Sequence, residues 1–462
     1  MIAADLAARD VLAWTRGHAL HPLPERFAGV ATDSREQQPG ALFVALRGER
    51  FDGHDFLPAA AARGATAALV ARGSDARRMG ILPCIEVEDP RAALGALGQG
   101  RRRASTAKVV AVTGSLGKTT VKQMLAAALS PLGPVLFTEG NLNNEIGVPL
   151  TLLRLEPKHR AAVIEMGMNH EGEIARLAAL AEPEVGLVTN VHGVHLESLG
   201  TIERVAAAKG ELYRGLPPEG VTVANADDPL VLGAARASGR RIVTFGRGPA
   251  DVQLVGEVAE SLEGIVFRLR AGGRTVEARA AFLGEHNARN GSAAVAGALA
   301  AGVPLEAAAA ALAAARPARH RLARIELPGG ATLLDDCYNA SPPSMAAALR
   351  TLRRVAGGRR LGAMLGDMLE LGPEELSRHR GVGEEAGGLA WLFAFGRRAR
   401  AIAEGARAAG VPEVGSGEDI EDGLRWVRAR LRAGDLVLLK GSRGMRMERF
   451  GEALGAPAEG GH

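Results

Sequence analysis

Two glycines, a lysine and two threonines in the run Val109-Val110-Ala111-Val112-Thr113-Gly114-Ser115-Leu116-Gly117-Lys118-Thr119-Thr120 have the types and order that phosphate chemistry needs. Gly114 and Gly117 let backbone N–H groups approach a polyphosphate closely. Lys118 adds a point charge for the outer phosphates, and Thr119 brings a hydroxyl to Mg²⁺ at the start of a helix. The apolar run before the loop predicts a buried strand, and Val121, Met124, Leu125 and Leu129 mark one apolar face of the helix after it. A nucleotide-phosphate site over residues 113–120 follows. The usual spacing places a glycine five residues before Gly117, where this chain has Val112. The loop is therefore a shortened variant, which argues against the ordinary GTPase and motor families.

Further along, Ala162-Val163-Ile164-Glu165 is an apolar run that ends on a carboxylate. Ligands of open α/β sheets bind at the carboxyl ends of strands, so Glu165 is placed to hold Mg²⁺ beside phosphates; the plainer reading is a solvated glutamate. The run 187–197 empties into a loop with His192 and His195, either of which serves as a ligand, a proton acceptor or a structural group. Lys209 follows in a helical stretch. Arginine has replaced lysine almost everywhere, the only lysines being Lys108, Lys118, Lys122, Lys158, Lys209 and Lys440. A lysine at 209 invites chemistry that needs an amine, such as reaction with CO₂ to give a carbamate, an anionic metal ligand that arginine cannot form. Asn141, Asn143 and Asn144 crowd one loop, and their amides suit a peptide or a sugar. His286-Asn287 opens an alanine-rich helix and meets an adenine edge or caps the helix. Lys440-Gly441-Ser442-Arg443 follows an apolar strand, where two cations and a hydroxyl suit a carboxylate or phosphate.

The elements that must position these groups alternate. Strands are expected at 109–113, 161–165, 185–190, 221–224 and 242–245, with helices at 119–130 and 171–180 between them. This pattern argues a mostly parallel sheet covered by helices. A β-rich insert spans 251–283, and alanine-rich helices over 286–315 stop at Arg316-Pro317. Residues 1–104 and 320–462 alternate in the same way, the latter with strands at 332–335, 361–365, 391–395 and 436–439. Arg101-Arg102-Arg103 reads as a solvated junction. At 462 residues the chain is too long for a single core. Its 56 basic and 52 acidic side chains leave a formal charge of +4, too little for a nucleic-acid surface. Two cysteines, Cys84 and Cys337, supply neither a disulfide framework nor a cysteine-rich metal site. No apolar run is long enough to span a membrane, and the charged first stretch is wrong for a signal peptide.

Together these segments resemble the Mur ligase family over nearly the whole chain. The general family pieces are residues 113–119, Glu165, His195, Lys209, His286-Asn287 and His320-Arg321. Asn143-Asn144-Glu145-Ile146-Gly147, Glu165-Met166-Gly167-Met168-Asn169-His170, Asp335-Asp336-Cys337-Tyr338-Asn339-Ala340, residues 366–372 and Lys440-Gly441-Ser442-Arg443 resemble the branch that adds a D-Ala-D-Ala dipeptide. Thr32-Asp33-Ser34-Arg35 and Asp52-Gly53-His54 resemble a UDP-sugar-binding domain of the family. Two positions depart from the pattern: Ser341 stands where asparagine is usual, and Cys337 where serine is usual.

The resemblance implies an α/β protein of three domains. A UDP-sugar-binding domain (1–104) and a Rossmann-like domain for nucleotide and incoming dipeptide (318–462) flank a central P-loop domain with a mostly parallel sheet (105–317). It implies ATP-dependent ligation of D-Ala-D-Ala to UDP-MurNAc-tripeptide through an acyl phosphate, by a monomer in the cytoplasm with no nucleic-acid partner. ATP is expected against Thr113, Gly114, Ser115, Leu116, Gly117, Lys118, Thr119, Thr120, Asn287, His320, Arg321 and Asp336. Two Mg²⁺ ions are expected on Thr119, Glu165, His195 and carbamylated Lys209. Substrate contacts are expected from Ser34, Arg35, Asn143, Asn144, Lys440 and Arg443, the last two for the dipeptide carboxylate.

Overall fold

The structure, a computed structural model, describes residues 2–36, 38–75, 80–193 and 199–457. Three α/β domains are each built on a sheet. The first sheet has the order Ile2–Ala7, Arg26–Ala31, Ala41–Val44, Ala67–Ala71, Cys84–Val87, His18–Ala19. The second, of nine strands, runs Arg274–Ala280, Gly264–Ala271, Val252–Ser261, Arg241–Gly246, Val221–Asn225, Val185–Val188, Lys108–Thr113, Ala161–Glu165, Val135–Phe137. The third runs Ala323–Glu326, Thr332–Asp335, Leu436–Lys440, Leu361–Gly366, Trp391–Phe395, Glu413–Gly417.

Two compact units divide the chain. One comprises residues 1–255, 269–276 and 289–312; the other comprises 256–268, 277–288 and 313–462. The β-rich insert consists of three strands joined by two-residue connections, and its residues fall in both units.

In the first unit, Lys108–Thr113 lies between Ala161–Glu165 and Val185–Val188, parallel to both. The chain first fills positions on one side of Lys108–Thr113 and then crosses to the other, so the loop after Thr113 sits where the strand order reverses. That is where open α/β sheets bind ligands. Val109, Ala111, Ile164 and Val188 of these strands share one core cluster with Leu177 and Ala178 of the Glu173–Ala181 helix and Val205, Ala208 and Leu212 of the Ile202–Arg214 helix. Burying each large aliphatic side chain contributes about 1.5–3 kcal/mol, so the loop starts from rigid strands.

The basic triplet is not a solvated junction. Helix Pro90–Arg103 runs through it, and Arg102 is buried. Its guanidinium donates to Ala181 O at 3.0 Å, Glu182 O at 3.1 Å and Glu184 Oε1 at 2.8 Å. These partners lie at the end of the Glu173–Ala181 helix, where carbonyls lack intrahelical donors and a cation is favoured.

The second unit carries the third sheet. Its four parallel neighbours from Thr332–Asp335 through Leu436–Lys440 and Leu361–Gly366 to Trp391–Phe395 are buried throughout and apolar except at Thr332, Asp335 and Lys440, as expected of strands covered on both faces. Among the described residues, no helix is long and apolar enough to cross a membrane.

Candidate active site

The glycine loop is shaped by Thr189 and Asn190, which follow the neighbouring strand Val185–Val188. Gly114 has φ 147°, and a Cβ there would fall 1.9 Å from Thr189 Oγ1, so no other residue fits. Gly117, at φ 80°, is the N-cap of the Lys118–Leu129 helix and has no side-chain cap. The helix therefore begins with amide groups and a positive dipole end aimed at the loop, the arrangement that binds anions. Asn190 fixes the loop. Its carbonyl accepts from Ser115 N at 3.0 Å, its Oδ1 from Leu116 N at 2.9 Å, and its Nδ2 donates to Leu116 O at 3.1 Å. The Ser115 and Leu116 amides are thus engaged within the protein. Lys118 Nζ folds back on Gly114 O at 2.8 Å and Ser115 O at 3.5 Å.

Glu165 is buried at the carboxyl end of its strand. Its Oε1 accepts from Asn143 Nδ2 at 2.9 Å and lies 3.4 Å from Thr119 Oγ1. Its Oε2 faces Lys122 Nζ at 3.2 Å, but accepts no hydrogen bond although buried. A buried carboxylate oxygen that makes no hydrogen bond and meets only the Lys122 ammonium, next to a threonine hydroxyl at a phosphate loop, fits a hard oxygen-seeking cation such as Mg²⁺.

Sequence reasoning passed over Lys122 as a member of this group. It is 1% exposed, paired with Glu165, and donates to Gly140 O at 3.3 Å. The scarcity of lysine in an arginine-rich chain was the signal that could have found it.

Lys209 lies on the Ile202–Arg214 helix and is 2% exposed. Burial, with a smaller contribution from the Lys118 charge, lowers its ammonium to about 7. Half of it is therefore neutral amine near pH 7, the form that attacks CO₂. His195, the expected companion ligand, lies outside the described residues.

The two site asparagines have partners within the chain. Asn143 holds Glu165, while Asn144 Oδ1 accepts from Ile146 N at 3.1 Å and Gly147 N at 2.9 Å, at the start of the Gly147–Leu153 helix. Ser34 and Arg35 share a short 3₁₀ turn, Ser34–Glu36. Arg35 is bidentate to Asp33, with Nη2 2.6 Å from Oδ2 and Nε 3.0 Å from Oδ1, and that guanidinium holds the Asp33 carboxyl at about 2.

In the second unit, His320 and Leu322 both adopt left-handed backbone, at φ 61° and 53°. Such strain gathers at functional sites. Arg321 stacks its guanidinium 4.0 Å from the Tyr338 ring centroid. Asp336 accepts from Leu322 N at 3.2 Å and pairs with Lys440 Nζ at 2.5 Å; burial pushes its carboxyl up against the pull of that ammonium. Lys440 also donates to Asn339 O at 3.0 Å and Asp336 O at 3.4 Å and is 3% exposed, so its charge is spent on the Asp336–Asn339 turn. Arg443 is half exposed, 3.3 Å from Glu448 Oε1. Asn287 is buried and donates to Leu283 O at 2.7 Å.

Comparisons with known proteins agree along the chain. The family models described as Mur ligase family, catalytic domain; Mur ligase middle domain; and Mur ligase, glutamate ligase domain match residues 26–102, 112–298 and 320–443. A UDP-N-acetylmuramoyl-tripeptide–D-alanyl-D-alanine ligase of Escherichia coli (strain K12) is 42% identical over 434 residues, 92% of this chain and 93% of that protein. A crystal structure of MurF from Acinetobacter baumannii superposes with a TM-score of 0.90 at 34% identity, covering 98% of this chain and 99% of that one. MurF ligase from Thermotoga maritima, solved in complex with ADP, superposes with a TM-score of 0.77 at 29% identity, covering 92% and 96%.

Proposed function

The chain belongs to the Mur ligase family, and we propose that it joins D-alanyl-D-alanine to UDP-MurNAc-tripeptide at the expense of ATP, releasing ADP and phosphate. The product is the UDP-MurNAc-pentapeptide precursor of peptidoglycan. The observation that carries the reading is the grouping, at adjacent strand ends of one sheet, of a helix N-terminus without a side-chain cap, a buried Glu165 whose Oε2 makes no hydrogen bond, and the Thr119 hydroxyl 3.4 Å from its other oxygen.

In this reading the free carboxylate of the tripeptide attacks the γ-phosphorus of ATP. The bond to the ADP oxygen breaks, leaving an acyl phosphate. The D-Ala-D-Ala amine then adds to the acyl carbon and the tetrahedral intermediate expels phosphate, while the amine proton passes to solvent. Lys118 exchanges its loop carbonyls for phosphate oxygens, and the amides at the start of its helix hold negative charge. Thr119 and Glu165 hold one Mg²⁺, and His195 and a Lys209 carbamate hold a second. When bound, these ions neutralise phosphate charge. Lys209 forms the carbamate when its neutral amine adds CO₂ and releases a proton.

Asn143 and Lys122 orient Glu165. Asn287, His320, Arg321 and Asp336 are assigned to the nucleotide, and Ser34 and Arg35 to the UDP-sugar. Asn144 is kept as a substrate contact through its loop. Arg443 is assigned to the dipeptide carboxylate, with Lys440 fixing the turn beside it. The boundaries 1–104, 105–317 and 318–462, a monomeric state and a cytoplasmic location belong to the same proposal.

Phosphate release measured with enzyme, ATP and UDP-MurNAc-tripeptide, with and without D-Ala-D-Ala, tests the reading. Release that requires the dipeptide supports it; release indifferent to the dipeptide overturns it.

A further inference from the structure

Asp335 ends the Thr332–Asp335 strand, Cys337 lies two residues beyond, and the Tyr338 N–H donates to His320 O at 3.2 Å, drawing the strained His320 turn against them. Three different kinds of ligand atom meet there. His320 Nδ1 is 2.7 Å from Asp335 Oδ2, Cys337 Sγ is 3.3 Å from His320 Nδ1, and Sγ is 2.9 Å from Asp335 Oδ1. Each of the three residues offers a ligand atom within 4.8 Å of the other two. Glu448 Oε2 stands 4.0 Å from the same sulfur. Cys337 and Asp335 are buried, and a cavity of about 150 Å³ lined by His320, Asp335 and Glu448 opens beside them.

We propose that His320, Asp335 and Cys337, with Glu448 as fourth donor, bind a zinc-class divalent cation. A tetrahedral ion held at about 2.0–2.3 Å needs ligand-to-ligand edges of roughly 3.3–3.7 Å. His320 Nδ1 and Cys337 Sγ, 3.3 Å apart, already stand at that spacing. Asp335 meets them through different oxygens, Oδ2 at 2.7 Å from the imidazole and Oδ1 at 2.9 Å from the sulfur, and turns to present one oxygen to the ion, while Glu448, 4.0 Å from the sulfur, moves in to complete the set. The donor set selects the metal. A thiolate and an imidazole favour Zn²⁺ or Co²⁺, whereas Mg²⁺ takes oxygen. On binding, the thiol proton leaves to solvent, and His320 presents Nδ1 as an acceptor by carrying its proton on the other ring nitrogen.

The site shares His320 with the proposed nucleotide contacts, but its metal binding is read without ATP or substrate, and its sulfur separates it from the oxygen-rich Glu165 group. Its effect is to tie the His320-Arg321 turn to the strand end and to the Glu448–Ala453 helix. In a simpler arrangement, the imidazole and thiol only donate to the two Asp335 oxygens, and no metal binds.

The full-length chain, stripped with a chelator, is titrated with Co²⁺ and followed for sulfur-to-cobalt charge transfer in the near ultraviolet; Zn²⁺ affinity is read by competition with a chromophoric chelator. One equivalent of Co²⁺ with that band, displaced by Zn²⁺ binding at micromolar or tighter affinity, is the expected result. Cys337→Ser should abolish the band and weaken Zn²⁺ by about 100-fold or more, beyond the 10–100-fold that loss of an outer partner causes. Cys84→Ser should keep the band, and His320→Asn should weaken Zn²⁺ while leaving both thiols in place. No band, a band that survives Cys337→Ser, or a band lost in Cys84→Ser overturns the proposal.

Discussion

Replacing Lys209 by methionine should make the protein more stable and inactive. The side chain is 2% exposed, and among the described residues it has no carboxylate partner; burial and, less strongly, the Lys118 charge lower its ammonium from 10.5 to about 7. Between those values the unfolded chain binds more protons than the folded one, so stability rises with pH through the window from about 7 to 10.5. Below about 7 the penalty is present in full. At 1.36 kcal/mol per pH unit the difference is about 5 kcal/mol, an upper figure because water and side chains relax around a buried charge. Methionine matches the length of the lysine stem and carries no charge. Unfolding free energies from urea titrations in CO₂-free buffer should therefore favour Lys209→Met by about 2–5 kcal/mol at pH 6.5, with the gain vanishing near pH 10.5. Bicarbonate should alter the stability of the parent protein alone. Dipeptide-dependent phosphate release should be lost in Lys209→Met and in Lys209→Arg, since neither variant forms a carbamate. A methionine variant no more stable than the parent at pH 6.5, or equally more stable at both pH values, refutes the account of a buried, unpaired amine. Near-normal turnover of Lys209→Arg refutes the carbamate.

Thr119→Ala should weaken use of Mg²⁺·ATP more than binding of the UDP-sugar substrate, and equal losses in titrations of the two ligands contradict the assignment. Lys122→Met leaves Glu165 buried without its cation and should lower stability by about 3–5 kcal/mol; adding Glu165→Gln should restore most of that in a urea titration. At Asp52, burial raises the carboxyl, but hydrogen bonds from His54 and Arg47 outweigh it and hold the group at about 2. Its stabilising contribution is present above the unfolded value of 3.8 and disappears as pH falls through about 2. Asp52→Asn should therefore cost about 1–2 kcal/mol at pH 7 and little at pH 2.

What could be read from the sequence was local. The strand, loop and helix around Gly114–Thr119 are contiguous, and Glu165 ends an apolar run, so periodicity alone places both at strand ends. What escaped depends on partners far along the chain. Asn143 and Asn144 stand side by side, yet one bonds Glu165 and the other caps a helix three residues on. Lys440 looks like an open cation after a strand, but a parallel neighbour brings Asp336, 104 positions away, within 2.5 Å of it. Arg102 reads as linker charge until the end of the Glu173–Ala181 helix supplies carbonyls. No local pattern encodes such pairings, because sheet order decides them.

The lysine census gains a physical meaning from these positions. Of six lysines in an arginine-preferring chain, Lys122, Lys209 and Lys440 are 1–3% exposed, and Lys118 lies in the phosphate loop. Arginine is always charged and carries a broad planar head with five donors. At Lys209 it could not become neutral. At Lys122 and Lys440 it would bring more donors than Glu165 with Gly140 O, or Asp336 with two carbonyls, can accept. Lys118 must reach past two glycines as a single point charge. Lys158, by contrast, makes an exposed pair with Glu156 that arginine could make as well. Retention of lysine in this chain therefore follows burial and compact-charge chemistry. That rule separates Lys122, which the glycine-loop pattern does not include, from the ordinary surface positions.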